Sequence, residues 1–134
     1  MPPAASWIVW DKVDGLESGR AIGFNDQADV ELAWSNLGGP ARTYRHRWMG
    51  AMKKSEQTDR RIHPTQKPVA LMLWCLSLAR LQPGDLVLDP YMGSGPVAAA
   101  CKRLGLRYIG IELSEAYCDV TIRHRLSQEV MALE

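Results

Sequence analysis

Two acidic residues and two glycines in the second half of the 134-residue chain have the spacing of a ligand site. Asp89 ends the apolar run L-V-L-D, Gly93 and Gly95 follow it closely, and Glu112 ends a second apolar run. A turn without Cβ atoms lets a ligand approach the backbone, and ligands of open α/β sheets bind beyond the carboxyl ends of the strands. The pattern predicts a binding turn after Asp89.

The residues of this turn discriminate among phosphate-containing ligands. A phosphate-cradling P-loop needs lysine and serine or threonine after its second glycine, whereas Pro96 follows Gly95. A dinucleotide site fits the pattern Gly93-x-Gly95-x-x-Ala98, with an acid downstream, but such a match alone is weak. The carboxylate of Asp89 argues against it, because it would repel a pyrophosphate.

The same carboxylate favours a cationic ligand. Asp89 would attract the ammonium and sulfonium charges of S-adenosylmethionine, and Glu112 would accept hydrogen bonds from the ribose hydroxyls. A purely structural interpretation stays open, in which Asp89 only caps the following turn and Glu112 is a surface acid at a strand end.

A β-α-β unit must position these residues. The sequence predicts a strand over 86–89, a helix over 95–104 that stops at Gly105, and a strand over 108–112. Such a unit forms a parallel strand pair, so both acids would lie at the same edge of the sheet. Ser114 is predicted to cap a last helix that runs to the C-terminal residues.

The rest of the chain predicts four further elements. A strand covers 6–10, and a short helix capped by Asn25 or Asp26 places Val30, Trp34 and Leu37 on one face. Residues 42–49 alternate as a strand, 50–61 form a polar charged segment, and an apolar helix runs from Pro68 to about residue 81.

Composition indicates one domain without a strong overall charge. Hydrophobic residues make up 46% of the chain, and 16 basic residues nearly balance 15 acidic ones, so any nucleic-acid signal must be local. The three widely spaced cysteines predict neither a zinc site nor a disulfide framework. We find no signal peptide or membrane-spanning run, and expect a soluble cytoplasmic protein without a metal.

One local signal for nucleic acid is present. Aromatic residues Tyr44, His46 and Trp48 are interleaved with a basic segment, which can neutralise phosphates while the rings stack on bases. The alternative is a solvated strand and a charged loop. The candidate DNA-binding residues are Arg42, Arg45, Arg47, Lys53, Lys54, Arg60 and Arg61.

Two ordered blocks, H-P-T-Q-K-P at 63–68 and L-D-P-Y-M-G-S-G-P at 88–96, resemble the bacterial and phage DNA methyltransferases that modify the amino group of adenine or cytosine. The segment Y-I-G-I-E-L-S-E-A-Y at 108–117 extends the resemblance, and W-I-V-W-D-K and D-V-E-L-A-W look like the family's preceding strand and helix. The resemblance implies an α/β fold, partial and Rossmann-like, with a mostly parallel sheet and flanking helices. It also implies double-stranded DNA as partner and S-adenosylmethionine as cofactor, bound by Thr65, Gln66, Lys67, Asp89, Tyr91, Gly93, Gly95 and Glu112.

The chain departs from the family pattern in three ways. Tyr91 and Pro96 stand where the family usually has phenylalanine and threonine, and the catalytic tetrapeptide D/N/S-P-P-Y/F/W is missing. In the family that tetrapeptide accepts the hydrogen bonds of the target amine and stacks on the flipped-out base. We therefore identify no catalytic residue and expect impaired or absent activity of this chain alone. A non-catalytic cofactor- or DNA-binding module is the first alternative, and a NAD-binding oxidoreductase domain is a remote one.

The missing tetrapeptide also has a structural consequence. It ends a central strand of the family fold, so at least one strand would be missing from the sheet. An unpaired sheet edge favours association. The resemblance therefore implies a homo-oligomer or a complementing chain.

Overall fold

The structure is a computed structural model that describes residues 6–14, 28–49, 52–56 and 65–127. The chain divides into two compact units, Met1–Thr58 and Asp59–Glu134. The predicted loop over 15–24, the capping residues Asn25 and Asp26, and the basic residues Arg60 and Arg61 lie outside the described residues.

The first unit contains a small mixed sheet. Its central strand β1 (Ser6–Asp11) pairs antiparallel with β2 (Val30–Ser35) and parallel with β3 (Arg42–Arg45). A separate two-stranded ladder joins β4 (Trp48–Met49) to β5 (Met52–Lys53). The predicted first strand is confirmed.

The predicted helix through Val30, Trp34 and Leu37 is wrong, because residues 30–35 form strand β2. All six of these residues pair with β1, from Ser6 opposite Ser35 to Asp11 opposite Val30. Positions 30 and 34 share a face in a strand as well as in a helix, so their spacing does not distinguish the two. Pairing with the apolar strand β1 decides the conformation.

The predicted strand over 42–49 is interrupted at its middle. β3 ends at Arg45, after which the His46 N–H donates to the carbonyl of Asp11 at 3.0 Å and the Trp48 N–H to that of Lys12 at 3.1 Å. The indole Nε1 of Trp10 donates to the carbonyl of His46 at 2.9 Å. The segment therefore follows the end of β1 before it enters the short ladder.

The second unit contains the predicted β-α-β motif. Strand β6 (Leu86–Asp89), helix α2 (Pro96–Arg103) and strand β7 (Arg107–Gly110) follow in order, and the strands are parallel, with Asp89 opposite Gly110. Helix α1 (Val69–Leu78) precedes the motif, and α3 (Glu115–Val120) follows it and continues as a π-helical turn (Thr121–Leu126). The α/β class is confirmed.

Helices α1 and α2 pack against each other to form the core of this unit. Val69 at the start of α1 lies with Ala99 and Ala100 of α2, and Met72, Leu73 and Leu76 pack around them. Pro68 is the N-cap of α1 rather than a residue of its first turn, and α1 ends at Leu78, short of the predicted residue 81. The first residues of α1 are thus held beside the first half of α2.

Within the described ranges, no helix is long and apolar enough to cross a membrane. The same residues contain no cluster of three or more His, Cys, Asp or Glu side chains that could hold a metal ion.

Candidate cofactor and DNA sites

The carboxylate of Asp89 is held by two donors at the carboxyl end of β6. Its Oδ1 accepts a hydrogen bond from the Tyr91 N–H at 3.1 Å, and its Oδ2 accepts one from the Tyr108 hydroxyl at 3.0 Å. The first bond caps the turn, as expected if Asp89 has a purely structural role. The second comes from the neighbouring strand and fixes the other oxygen.

Glu112 is brought to the same turn although it lies two residues beyond the end of β7. Its Oε2 accepts the Gly93 N–H at 2.9 Å, and its Oε1 accepts the Ser114 N–H at 2.9 Å. Glu112 is thus more than a surface acid, because its side chain ties the glycine turn to the segment after β7.

Two backbone bonds reinforce this connection. The Ile111 N–H donates to the carbonyl of Asp89 at 2.9 Å, and the Met92 N–H donates to the carbonyl of Ile111 at 3.0 Å. Together with the side chain of Glu112, they hold residues 89–93 against residues 110–112. Asp89 and Glu112 therefore lie on two segments that are hydrogen-bonded to each other.

Gly95 is required where the turn enters α2. Its φ is +71°, and a Cβ placed there would lie 2.3 Å from Thr121 Cγ2 and 2.8 Å from Thr121 Oγ1. Thr121 is only 1% exposed, and its hydroxyl donates to the carbonyl of Gly93 at 3.4 Å. Thr121 therefore packs on the glycine turn from the far end of α3.

The two departures from the family pattern lie in contrasting places. Tyr91 has 89% of its surface exposed, so its ring is available to a ligand or to another chain. Pro96 is buried and is the first residue of α2, where a backbone N–H would have no partner within the helix. The Ala99 N–H donates to the carbonyl of Gly95 at 3.1 Å, so α2 still makes the first hydrogen bond of its ladder.

The Thr65–Lys67 block directly precedes the N-cap of α1. Thr65 is exposed, Lys67 is half-buried, and Gln66 is 6% exposed. Since Val69 packs against Ala99 and Ala100, the block and the glycine turn both adjoin the starts of neighbouring helices. Their common role in binding the cofactor stays a prediction.

Electrostatics keeps the groups around Asp89 protonated. Burial, followed by the charge of Asp89 and the hydrogen bond to it, raises the pKa of Tyr108 far above its ordinary range. Burial and, secondarily, Asp89 also raise the pKa of the Cys101 thiol. Tyr108 therefore remains a hydrogen-bond donor throughout the physiological range of pH.

Five of the seven predicted DNA-contacting residues are described. The guanidinium Nε of Arg45 lies 3.6 Å from Asp11 Oδ2, and Lys54 Nζ lies 2.9 Å from Asp14 Oδ2. The Lys54 hydrogen bond is the main cause that lowers the pKa of Asp14. Two of the cations are thus partly neutralised by acids that are distant in sequence.

The other three described cations differ in exposure. Arg42 is exposed, Lys53 is half-buried with its Nζ 4.7 Å from the ring centre of Trp48, and Arg47 is half-buried. The Nε of Arg47 is buried and has no hydrogen-bond partner among the described residues.

The aromatic residues of the basic segment stack on one another. The rings of Tyr44 and His46 have centroids 5.7 Å apart and are nearly parallel, and Trp48 lies 6.3 Å from His46. His46 is 4% exposed and its Nε2 lies 2.9 Å from Ser55 Oγ. Burial, and then Lys54, lowers the pKa of His46 against the opposite influence of nearby acids, so neutral imidazole is favoured. His46 is therefore a packing residue rather than a cation for phosphate.

Comparison with known proteins places these features in one family. The family model of N6/N4 DNA methylases matches residues 34–123, which is more than half of the chain. The chain belongs to the N6/N4 DNA methylase family. The match contains every predicted cofactor residue, from Thr65 to Glu112, and all five of the described basic candidates.

Individual relatives agree with this assignment to the methylase family. The chain is 42% identical over 82 residues to the type II methyltransferase M2.DpnII of Streptococcus pneumoniae, a match over 61% of this chain and 30% of that protein. It is 41% identical over 71 residues to M.HinfI of Haemophilus influenzae, over 53% of this chain and 20% of that enzyme. The chain thus spans less than a third of the length of these curated relatives.

Solved structures of methylases share the fold. M1.HpyAVI, crystallised as a complex with SAM, superposes with a TM-score of 0.58 at 27% identity, over 91% of this chain and 61% of that one. The cytosine-N4-specific PvuII methyltransferase gives a TM-score of 0.57 at 16% identity, over 89% of this chain and 50% of that one, and so supports the fold alone. These neighbours confirm the Rossmann-like methyltransferase fold as a partial one.

Three residues that surround the turn between β6 and α2 were not identified from the methylase sequence. Tyr108 holds Asp89, Thr121 packs on Gly95, and Gly110 has no room for a Cβ, which would lie 2.6 Å from Met92 Sδ. A sequence signal existed only for Gly110, because a glycine inside a strand often marks a close approach of another group. Tyr108 and Thr121 carry no such signal, since both are common residues in their elements.

Proposed function

We propose that this methylase chain binds S-adenosylmethionine at the turn between β6 and α2. The observation that carries the proposal is Asp89, whose carboxylate is held at the carboxyl end of a parallel strand beside a turn with two glycines of positive φ. A fixed negative charge at this position suits the ammonium and sulfonium groups of the ligand. M1.HpyAVI, which has the same fold, is crystallised with SAM.

Glu112 is proposed to receive the ribose of the same ligand. Its oxygens are already oriented by the N–H groups of Gly93 and Ser114, so the carboxylate is held beside the glycine turn. A carboxylate has about four acceptor positions, so it can receive hydroxyl donors in addition to backbone N–H groups. Thr65, Gln66, Lys67 and Tyr91 are proposed to contact the methionine end.

The activity we propose is methyl transfer to the exocyclic amino group of adenine or cytosine in DNA, which would place the protein in the cytoplasm. The 134 residues contain no D/N/S-P-P-Y/F/W tetrapeptide, and the relatives are several times longer than the matched region. Methyl transfer therefore requires that a longer protein or a second chain supply the groups that accept hydrogen bonds from the target amine and stack on the base.

Calorimetric titration with S-adenosylmethionine, followed by an assay of tritiated methyl transfer to DNA, tests the proposal in two steps. We expect binding in the first step, with transfer only when the tetrapeptide is supplied. Binding without transfer under every condition would select the non-catalytic module. Failure to bind S-adenosylmethionine would remove the proposed cofactor.

The basic segment of the first unit is proposed to contact the DNA backbone. Because Arg45 and Lys54 are paired with acids, the exposed Arg42 should contribute most to the electrostatic attraction. We expect Arg42→Ala to weaken binding equally for all DNA sequences and to reduce the slope of log K against log salt by about 1.

Two matched variants serve as controls for this experiment. Arg45→Ala should change the slope less than Arg42→Ala, since the ion pair with Asp11 already screens its charge. Arg103→Ala, on an exposed position of α2 in the other unit, should leave the slope unchanged. DNA binding that does not depend on salt would contradict the electrostatic role of the segment.

Association with a second copy or with a complementing chain is proposed as well. β6 and β7 form a two-stranded parallel sheet, and on one face Leu86, Leu88 and Ile109 are exposed, Leu88 at 61%. Parallel sheets are normally covered on both faces, and a pair of strands is seldom stable alone. Light scattering after size-exclusion chromatography should show a concentration-dependent oligomer, and a clean monomer at high concentration would count against it.

A further inference from the structure

The Tyr108 side chain reaches Asp89 by lying across Gly110, which has no side chain. Asp89 pairs with Gly110 across the sheet, and Tyr108 lies two residues before Gly110 on the same strand face. A Cβ at Gly110 would lie 2.7 Å from both Cε1 and the hydroxyl of Tyr108. The tyrosine ring therefore lies directly over the bare backbone of Gly110, and its hydroxyl extends to the carboxylate on the neighbouring strand.

The two bonds to Asp89 define one orientation of its side chain. The Tyr91 N–H holds Oδ1 and the Tyr108 hydroxyl holds Oδ2, at 3.1 and 3.0 Å. A carboxylate has about four acceptor positions, so two such bonds leave capacity for a cationic group of a ligand. A side chain that is already oriented loses less conformational freedom when the ligand binds.

We propose that Tyr108, lying across Gly110, is a positioning residue that orients the Asp89 carboxylate for the cationic methionine end of the cofactor. This inference rests on the proposed binding of S-adenosylmethionine. Tyr108 acts through Asp89 and need not touch the ligand. Its ring also fills the half-buried face of the strand pair, so the hydroxyl must be tested separately from the ring.

Tyr108→Phe keeps the ring and removes the donor. We expect its affinity for S-adenosylmethionine, measured by calorimetry, to fall by about 5- to 10-fold. Affinity for 5′-methylthioadenosine, which retains the adenosine and lacks both the ammonium and the sulfonium charge, should stay within about 2-fold of the wild type. Tyr117→Phe makes the same chemical change on α3 and should leave both affinities unchanged.

A double-mutant cycle with Asp89→Asn isolates the pair. In the Asp89→Asn background, Tyr108→Phe should change the affinity for S-adenosylmethionine by less than about 2-fold, because its target carboxylate is gone.

Three patterns would overturn the inference. Equal losses for both ligands would show that Tyr108 only stabilises the fold, and unchanged affinity for S-adenosylmethionine would show that its hydroxyl has no role. If the wild-type protein binds neither ligand, the proposed function fails and the inference fails with it. The first two patterns leave the proposed function intact, because the wild type then still binds the cofactor.

Discussion

Replacing Asp89 with asparagine should weaken the binding of S-adenosylmethionine by about 1,000-fold, because two unit charges about 4 Å apart attract by roughly 4 kcal/mol near a protein surface. Asparagine retains an oxygen that can accept the Tyr91 N–H, so the turn cap should persist. The change therefore removes the charge and keeps the shape of the turn. Calorimetric titration of both proteins measures the difference.

This variant separates the two interpretations of Asp89 that the sequence left open. If the carboxylate only caps the turn, Asp89→Asn should bind the ligand like the wild type. Asp85→Asn is the matched control, because Asp85 also accepts a backbone N–H, that of Gln82 at 2.8 Å, and lies before β6 rather than after it. It should leave the affinity unchanged, and an equal loss in both variants would point to a general loss of stability.

The β-α-β unit was predictable because its signals are local. Apolar strands, glycines at Gly95 and Gly105, and the length of the intervening helix agree on one arrangement, and α2 forms within a residue of each predicted bound. The second strand is less exact, since β7 is Arg107–Gly110 and Glu112 lies beyond it. Its carboxylate still reaches the turn, because a strand end and the residues after it occupy the same edge of the sheet.

The first unit was less predictable because its structure depends on pairing between distant residues. Nothing within residues 30–37 shows that β1 provides a ladder for Val30 to Ser35, and the spacing of Val30 and Trp34 fits a helix and a strand alike. The net charge of the basic segment also depends on residues that are distant in sequence. Asp11 and Asp14 partly neutralise Arg45 and Lys54, so a count along the basic segment alone overstates its positive charge.

The aromatic residues of that segment illustrate the same limit. The alternation seen in the sequence could not reveal that the rings of Tyr44, His46 and Trp48 stack on one another. His46 is 4% exposed, and its carbonyl accepts a hydrogen bond from the indole of Trp10, which is 36 positions away in the chain. A sequence pattern indicates on which face of a strand a side chain lies, whereas tertiary packing decides whether that face is exposed to solvent.

Gly95→Ala should lower the free energy of unfolding by about 2–4 kcal/mol, which combines the cost of a left-handed residue with that of overpacking. At φ +71° an alanine is strained, and its Cβ would lie 2.3 Å from the methyl carbon of Thr121, which is almost fully buried and cannot easily move. Urea denaturation followed by circular dichroism measures the change. Ligand affinity should fall too, since the turn can relieve the clash only by moving away from α3.

Gly105→Ala separates the two causes of this loss. Its φ of +65° is nearly the same, but its Cβ would lie 3.7 Å from Pro83 Cβ, an ordinary contact, so only the backbone strain of about 1 kcal/mol should remain. Thr121→Ala removes the methyl and hydroxyl groups that Gly95→Ala would strike, and leaves the nearest atom at 3.0 Å. Gly95→Ala should therefore cost less in the Thr121→Ala background than in the wild type. Equal costs in the two backgrounds would mean that Thr121 does not constrain the glycine turn, and that the requirement for glycine at this position comes from the backbone alone.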